Sequence, residues 1–503
     1  MTRSINNNFD QKMSMMEGGG EEKKGRLTFI LALTTGIVAI AGSGNYGYGT
    51  GVVSAPSKYI QHFYNDTYVL RTGDEMSENG MLWLWSTTVS VYCIGGAFGA
   101  LIAAPMADRF GRKGFLLINS IFSILSSLLM GFSEVASSYE MMIAGRVILG
   151  FYAGAAITVV PVFLAEIAPK NMRGAIGINH QLAITIGILI AQILGIFIFN
   201  TEDTWPILVA FGGVFAVMQI CILPFCPESP RWLLITKGNP DGARKALRRY
   251  RGDDDVSWEM HEMQIEYQEE SKEPKVGIRG LFTNKNYRKP ILISVFAHAG
   301  QQFSGINAIF FYATEIYFMI WPNNVSAVLY ATIGSGVVNV IVTIISIFVV
   351  ERTGRRPLLL YPLILMAAST AFITLSLNLA DPTTQDAWDY ISLICVYLYI
   401  VCFAIGPGPI PNVLIPEIWS QGPRPSAMSV SVQVNWWCNF VVGITFPYIQ
   451  ASIGAYTFLV FTVFLACNCV FSFFMIPETK NKTFEEIVSS FRVDNHHRRL
   501  GRR

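Results

Sequence analysis

Charged residues are scarce in this chain. They make up 14% of its 503 residues, whereas 52% of the residues are hydrophobic. This is too little charge for a soluble globule of that length, in which about a quarter of the residues are usually charged. The apolar residues come in blocks of roughly 20, the length of helix that crosses a ~30 Å hydrocarbon core. The composition therefore excludes a soluble protein and predicts one whose surface faces lipid.

Several chemical motifs are missing as well. The eight cysteines lie in or at the ends of apolar segments, with neither a disulfide framework nor zinc-ligand spacing. There is no phosphate-binding loop of the Gly-x-x-x-x-Gly-Lys-Ser/Thr type, and no Ser/His/Asp or metal constellation. These absences argue against an enzyme and against transport driven by a nucleotide. They imply no cofactor, no metal and no nucleic-acid partner.

Twelve apolar segments predict an all-α membrane protein with twelve transmembrane helices. They lie near residues 27–50, 81–107, 114–136, 139–167, 175–199, 204–226, 288–320, 326–350, 357–380, 388–416, 425–450 and 453–476. Loops rich in Lys and Arg alternate with loops that carry Asp and Glu, and Lys23, Lys24 and Arg26 precede the first segment. By the positive-inside rule, both termini are predicted to be cytosolic.

The second half of the chain repeats motifs of the first half. The repeated motifs are Glu166 with Arg173 and Glu417 with Arg424, the loops Asp108–Lys113 and Glu351–Arg356, and the segments Pro227–Arg231 and Pro477–Lys480. An even number of spans separates the copies, so the two halves have the same orientation and are related by an axis along the membrane normal. Their interface is the natural place for a substrate.

The repeat divides the chain into five predicted segments. They are a disordered cytosolic tail (1–25), an N-terminal six-helix bundle (26–226), a cytosolic linker (227–287), a C-terminal six-helix bundle (288–476) and a cytosolic tail (477–503). The linker is rich in charge, and its pattern is typical of short amphipathic helices. Whether it does more than tether the two bundles stays open.

In combination, the loop motifs resemble those of the sugar porters of the major facilitator superfamily, and more narrowly those of the animal facilitative glucose transporter family. The resemblance extends from about Gly44 to Glu486 and is carried by Asp108–Lys113, Gly145-Arg146, Pro227–Arg231, Gln301–Asn307, Glu351–Arg356, Gly406–Pro411 and Pro477–Lys480. It implies the major facilitator fold in the plasma membrane and passive hexose transport. The partners it implies are a sugar and the lipid bilayer, whereas the oligomeric state stays open.

Amide side chains within the spans provide the chemistry that a sugar needs, because an amide both donates and accepts hydrogen bonds. Amides are costly inside a membrane bundle unless they are used. The residues that meet this description are Gln181, Gln192, Gln301, Gln302, Asn307, Asn339, Asn435 and Asn439. Ser304 and Gly305 allow the helix to bend within the densest group. Hydrogen bonding between helices is the alternative explanation for any single amide.

The resemblance implies sugar contacts at positions of both halves. These are Gln181, Gln301, Gln302, Asn307, Asn339 and Asn435, with Ile184 and Ile188 as apolar wall and Phe403 and Trp436 as aromatic surface. Asn412 stands where glucose-preferring members of the family usually carry Trp, and we include it in the predicted site. The triplet His298-Ala299-Gly300 also departs from glucose-selective members, which carry Gln-Leu-Ser there. Glucose, fructose or both are therefore possible substrates.

Energy coupling is predicted from a missing carboxylate. The resemblance extends to proton-driven sugar porters, which place an Asp after Gly-Tyr in the first span, whereas this chain reads Gly47-Tyr48-Gly49-Thr50-Gly51. Passive uniport is therefore favoured, with Glu315 as the one acidic residue held in reserve. The alternatives are a proton-coupled sugar symporter, a carrier of another polyol or of urate on the same fold, and, more remotely, a transporter-like sugar sensor.

Charged motifs at the predicted cytosolic ends of the spans suggest a latch. Alternating access needs contacts that form in one state and break in the other. The predicted cytosolic gate comprises Arg112, Glu166, Arg173, Glu228, Arg231, Glu351, Arg355, Glu417, Arg424 and Glu478. We expect these residues to hold the cytosolic side shut while the site opens outward. Charge that sets topology would explain the cations but not the repeated Glu residues.

Asn65-Asp66-Thr67 is a predicted external glycosylation site at Asn65.

Overall fold

The computed structural model describes residues 25–380 and 387–480, together with Lys482 and Glu486, apart from the side chains of residues 269–271 and 351. The predicted N-terminal tail lies almost wholly outside the described residues, as does most of the C-terminal tail. Within the described part of the chain, every regular element is a helix.

Apolar helices dominate the structure, and we number them as spans 1 to 12. Spans 1 to 6 are Phe29–Gly51, Glu78–Phe110, Arg112–Gly131, Tyr139–Ile167, Lys170–Ile198 and Trp205–Phe225. Span 7 is the bent pair Lys285–Phe311 and Ala313–Ile320, followed by spans 8 to 10 at Val325–Val350, Arg355–Leu379 and Ala387–Ile418. We call spans 1 to 6 the first half and spans 7 to 12 the second half.

The last two spans run almost without interruption. Arg424–Met475 is 52 residues long, about twice the length that a bilayer accommodates. The turn Gly454–Tyr456 divides it into spans 11 and 12, Arg424–Ile453 and Thr457–Met475. The predicted all-α class and its twelve spans are thus confirmed, and most span boundaries agree within a few residues.

Span 7 is broken where the sequence predicted a bend. Gly305 has a φ of +94°, a conformation that side chains with a Cβ rarely adopt. A Cβ on Gly305 would also lie 2.7 Å from the ring of Phe461. Beyond Tyr312 the helix axis turns by 79°. Glycine at this position therefore allows the helix to be interrupted beside the predicted sugar residues, whereas the 79° bend follows seven residues later, at Tyr312.

A buried cation ties three spans of the first half together. Arg146 of span 4 is fully buried and donates to the carbonyl of Gly49 in span 1 and to those of Thr88 and Val89 in span 2. A charge is costly at this depth unless backbone carbonyls or counter-charges surround it. These three bonds explain why the Gly145-Arg146 motif is a structural part of the bundle.

Short helices connect the two halves, at Pro240–Arg251, Ser257–Lys272 and Ile278–Thr283. The first is capped at its N-terminus by Asn239, whose side chain accepts the backbone N–H of Gly242, and at its C-terminus by Gly252 in the left-handed conformation. Its apolar face, which includes Ala243 and Leu247, is buried with residues of the second helix. The linker therefore has a small apolar core of its own.

Candidate substrate site and gates

Four amides of the second half form one hydrogen-bonded cluster. Asn307 Nδ2 donates to Gln302 Oε1 over 2.6 Å, and Gln302 Nε2 donates to Asn435 Oδ1 over 3.0 Å. Asn435 Nδ2 in turn donates to Gln301 Oε1 over 2.7 Å. Spans 7 and 11 supply these side chains, because Gln301, Gln302 and Asn307 flank the break in span 7. We call these four residues the amide cluster.

The amide cluster is anchored on the break in span 10. Gln301 Nε2 donates to the carbonyls of Pro407 and Gly408, over 2.9 and 2.7 Å. These residues lie between the helices that end at Ile405 and begin at Ile410, where the Gly-Pro-Gly-Pro motif interrupts the helix and frees carbonyls. Three spans therefore meet at one polar point inside the bundle, which is where a polyhydroxyl ligand would find donors and acceptors.

Sequence reasoning did not place His298 among the sugar-site residues. Its side chain is buried, and its Nδ1 lies 3.1 Å from Asn435 Nδ2. Its spacing in the sequence could have indicated it. His298 precedes Gln301 and Gln302 by three and four residues and therefore lies on the same face of the helix.

The predicted aromatic residues lie close to the amide cluster. Phe403 packs against Gly408, where an added Cβ would lie 3.2 Å from the Phe403 ring. Trp436 is buried, and its ring centroid lies 5.9 Å from that of Tyr46 and 6.1 Å from that of Tyr92. The two tyrosines come from the first half and were not predicted. Trp436 thus joins the two halves beside the polar cluster.

The predicted residues of span 5 lie in the other half. Ile184 and Ile188 are buried, and their backbones pack closely against glycines of span 1. Gln181 is exposed, and its side chain has no hydrogen bond within the described part of the chain. An amide within a spanning helix usually faces a bundle interior or a water-filled cavity. The amide of Gln181 therefore keeps its hydrogen-bonding capacity.

Asn339 and Asn412 are not part of the amide cluster. Asn339 of span 8 is 6% exposed and has no hydrogen-bond partner among the described residues. Asn412 is exposed on Ile410–Ile418, the helix that follows the break in span 10. Both amides therefore keep their hydrogen-bonding capacity.

Charged residues of the first half form a cluster at one end of the bundle. Arg112 Nε and Nη2 donate to the two oxygens of Glu166, over 3.0 and 2.9 Å. Glu166 also accepts the hydroxyl of Ser229. Glu228 accepts the backbone N–H of Lys113 over 2.9 Å, at the start of span 3. We call this end of the molecule the basic end.

The second half repeats the same arrangement. Arg355 Nη2 donates to Glu417 Oε1 over 3.0 Å, and Glu417 accepts the hydroxyl of Thr479 over 2.5 Å. Glu478 accepts the backbone N–H of Arg355 over 2.9 Å. Burial acts to raise the pKa of the Glu478 carboxyl, but backbone N–H donors, including that of Arg355, hold it below its ordinary value. The sequence repeat thus corresponds to a repeated structure.

The other predicted gate residues are placed differently. Arg173 is exposed and has no partner within the described residues. Arg231 pairs with Glu266 of the linker over 3.1 Å. Arg424 donates to the carbonyl of Trp419 over 2.9 Å. The side chain of Glu351 lies outside the described residues.

Two side-chain hydrogen bonds between the halves lie at the other end of the bundle, which we call the opposite end. Ser54 and Thr314 share a hydrogen bond of 3.1 Å between their hydroxyls. Trp85 Nε1 donates to Glu315 Oε1 over 3.0 Å. Each bond joins the first half to the part of span 7 beyond its bend. These contacts were not predicted, because the sequence has no repeated motif there.

Residues 35–491 match the family model described as Sugar (and other) transporter. Among curated proteins, facilitated glucose transporter member 5 of solute carrier family 2 from Rattus norvegicus is 43% identical, over 95% of each chain. The Bos taurus member 5 is 45% identical over 93% of each chain. Member 1 from Gallus gallus is 43% identical over 94% of this chain and 95% of its own.

Solved structures of the xylose transporter XylE from E. coli have the same fold. The partially occluded inward-open conformation gives a TM-score of 0.77 at 25% identity, covering 91% of this chain and 100% of that one. XylE bound to 6-bromo-6-deoxy-D-glucose, described as a proton:xylose symporter, gives 0.73 at 26% identity, covering 92% of this chain and 98% of that one. The arrangement of the spans therefore matches that of a major facilitator protein.

Proposed function

Because the chain belongs to the sugar transporter family, among the facilitated glucose transporters of solute carrier family 2, we propose that it carries hexoses passively across the membrane by alternating access. The observation that carries this proposal is the amide cluster at the breaks of spans 7 and 10. It concentrates donors and acceptors at a protein-lined position inside the bundle, as a polyhydroxyl substrate requires. Members of this family are transporters, so catalysis is not part of the function.

The proposed sugar site has a polar side and an apolar side. The amide cluster is the polar side in the second half, and Phe403 and Trp436 lie beside it. The other proposed contacts are Gln181, Ile184, Ile188, Asn339 and Asn412. Hydroxyls of the sugar would bond to the amides, while its C–H face would pack on the rings. Glucose and fructose are both accommodated by this chemistry, and a different polyol or urate is the rival substrate.

Two features support alternating access. Contacts between the halves tie the opposite end together, through Trp85 with Glu315 and Ser54 with Thr314. At the basic end, Arg112–Glu166 and Arg355–Glu417 each lie within one half. Contacts across the halves at the basic end would form when the opposite end opens, and Arg173, which has no partner among the described residues, is available for one of them.

In the proposed orientation the basic end is cytosolic, the termini are cytosolic, and the protein spans the plasma membrane. Lys and Arg are enriched in loops at the basic end, as the positive-inside rule requires. Asn65 lies in the helix Ser57–Thr72, which follows span 1, and would be extracellular and open to glycosylation. Its Oδ1 accepts the backbone N–H of Met76 over 3.0 Å, while its amide nitrogen has no partner among the described residues.

Passive uniport is proposed over proton coupling because span 1 has no carboxylate after Gly47-Tyr48. Glu315 favours the second candidate, a proton-coupled symporter. It is a partly buried acid that bonds to Trp85 in the other half, so its protonation could be linked to opening. Glu315→Gln distinguishes the two cases, since uniport without coupling survives the loss of this acid.

The proposal is tested in liposomes that contain the purified protein. Entry of radiolabelled D-glucose and D-fructose is followed with and without an inward proton gradient. We expect each transported sugar to equilibrate at a rate independent of the gradient. Accumulation above equilibrium would establish proton coupling instead, and the absence of uptake of both sugars would contradict hexose transport.

Matched variants show whether sugar uptake depends on the amide cluster. Gln301→Ala removes the residue that joins spans 10 and 11 through its amide, and we expect uptake to fall at least tenfold. Asn378→Ala removes an amide of span 9 that bonds the Thr374 carbonyl of its own helix. It should retain most of the wild-type uptake. Equal losses in both variants would indicate that amides in this bundle are structural.

A further inference from the structure

His298 is in direct contact with the amide cluster. It is 2% exposed, and its Nδ1 lies 3.1 Å from Asn435 Nδ2. The imidazole therefore approaches the proposed sugar site from span 7, one turn before Gln301. An imidazole nitrogen either donates or accepts, depending on where the ring carries its proton. The hydrogen bonds around Asn435 determine which role it has here.

The orientation of every amide in the cluster follows from the anchor on span 10. Backbone carbonyls only accept hydrogen bonds, so Gln301 must direct its Nε2 at Pro407 and Gly408. Its Oε1 then faces Asn435, which must present Nδ2 to it. The Asn435 oxygen consequently accepts from Gln302. The donors of the cluster all point in one direction, from Asn307 to span 10.

The direction of these hydrogen bonds fixes the tautomer of the His298 imidazole. Asn435 Nδ2 has two N–H groups, of which one bonds Gln301 Oε1 and the other is available to His298 Nδ1. Nδ1 must therefore accept, and the neutral ring carries its proton on Nε2. Nε2 itself is buried without a partner in the described part of the chain. In the other tautomer, the Nδ1–H of His298 would face an N–H of Asn435, and two donors cannot form a hydrogen bond with each other.

We propose that His298 is a positioning residue for the sugar site, and this proposal rests on the proposed hexose transport. By accepting from Asn435, His298 holds that amide with both N–H groups occupied. Asn435 then meets a sugar hydroxyl with its oxygen, as an acceptor. Without an acceptor at residue 298, the Asn435 amide keeps its bonds to Gln301 and Gln302 but has one buried N–H without a partner. That N–H is then an additional donor beside the site, so the pattern of donors and acceptors that a sugar meets is changed.

Two substitutions separate this role from packing. His298→Leu fills much of the space but accepts no hydrogen bond. His298→Gln supplies an acceptor oxygen. We expect KM for the transported hexose to rise about tenfold in His298→Leu, the effect of leaving one buried N–H unpaired. The maximal rate per folded transporter should stay within about twofold. His298→Gln should restore most of the affinity, with KM within about threefold of the wild type.

The measurement is hexose uptake by the full chain in liposomes, normalised to folded protein by size-exclusion chromatography. If the Leu variant does not fold, His298→Phe provides a second residue without an acceptor. An unchanged KM in the Leu or Phe variant overturns the proposal, and so does a Gln variant as impaired as Leu. A wild type that carries no hexose contradicts the proposed function and this inference with it. Wild-type uptake with an unaffected Leu variant contradicts the inference alone.

Discussion

At the basic end, ion pairs lie inside each half, whereas at the opposite end hydrogen bonds cross from one half to the other. Arg112–Glu166 and Arg355–Glu417 each join residues of the same half. Ser54–Thr314 and Trp85–Glu315 join surfaces that alternating access requires to separate. The difference teaches that the repeated charges brace each half in this state, while the bonds that join the two halves at the opposite end lie outside the repeated motifs.

Removing a carboxylate from either charged cluster should have the largest effect. The side chains of Arg112 and Glu166 are 12% and 10% exposed, so Glu166→Gln leaves a nearly buried cation with less compensation. We expect a loss of about 2 kcal/mol in the free energy of unfolding. Glu417→Gln should cost about the same, because its cluster repeats the first. Thermal unfolding followed by tryptophan fluorescence measures both.

The control for these two variants is an exposed ion pair at the opposite end. Arg71 and Glu140 are bonded over 2.6 Å, with side chains 38% and 56% exposed. Glu140→Gln should cost less than about 0.5 kcal/mol, since solvent screens exposed pairs. If Glu166→Gln and Glu140→Gln destabilise the protein equally, the clusters at the basic end do not brace the halves.

Breaking a contact between the halves should act on the conformational equilibrium and leave stability nearly unchanged. Trp85→Phe removes the hydrogen bond to Glu315, which is worth about 1 kcal/mol. The population with an open opposite end should then rise about fivefold. Spin labels at Asp74 and Asn323, exposed residues of the two halves near this end, report the opening as a longer distance.

The neighbouring tryptophan provides a matched control. Trp83 is 58% exposed and lies two residues from Trp85 on the same span. Trp83→Phe should leave the distribution of distances unchanged. Equal shifts in both variants would mean that the bond to Glu315 does not keep the opposite end closed.

The two ends also differ in how many of their contacts can be predicted from the sequence. Hydropathy predicted the spans, because the bilayer imposes a length on every helix. Motifs repeated between the halves predicted an ion-pair network that includes Arg112, Glu166, Arg355 and Glu417, but not which of these residues pair with each other. At the opposite end, Ser54 meets Thr314 only through tertiary packing, and neither residue stands in a motif. A single Ser or Thr in a membrane helix most often bonds its own backbone, so sequence alone cannot select this pair.

The residues of the proposed sugar site were indicated by the sequence to a similar extent. Composition and resemblance indicated the amides of span 7 and Asn435, since buried amides are rare and costly in a membrane. Their direction of hydrogen bonding was not predictable, because it depends on two carbonyls freed by the break of span 10. The role of His298 follows from that direction and so could emerge only from the structure.

Arg173→Ala should have the smallest effect on stability, but it tests most directly whether the basic end gains contacts between the halves when the opposite end opens. Arg173 is exposed and without a partner among the described residues, so its loss should change the free energy of unfolding by less than about 0.5 kcal/mol. If Arg173 bonds the second half once the opposite end opens, the variant should lower the open population and offset part of the effect of Trp85→Phe in the double variant. The same spin labels measure this. An open population unaffected by Arg173→Ala in both backgrounds would limit this residue to setting topology, and the latch at the basic end would have to be built from other residues.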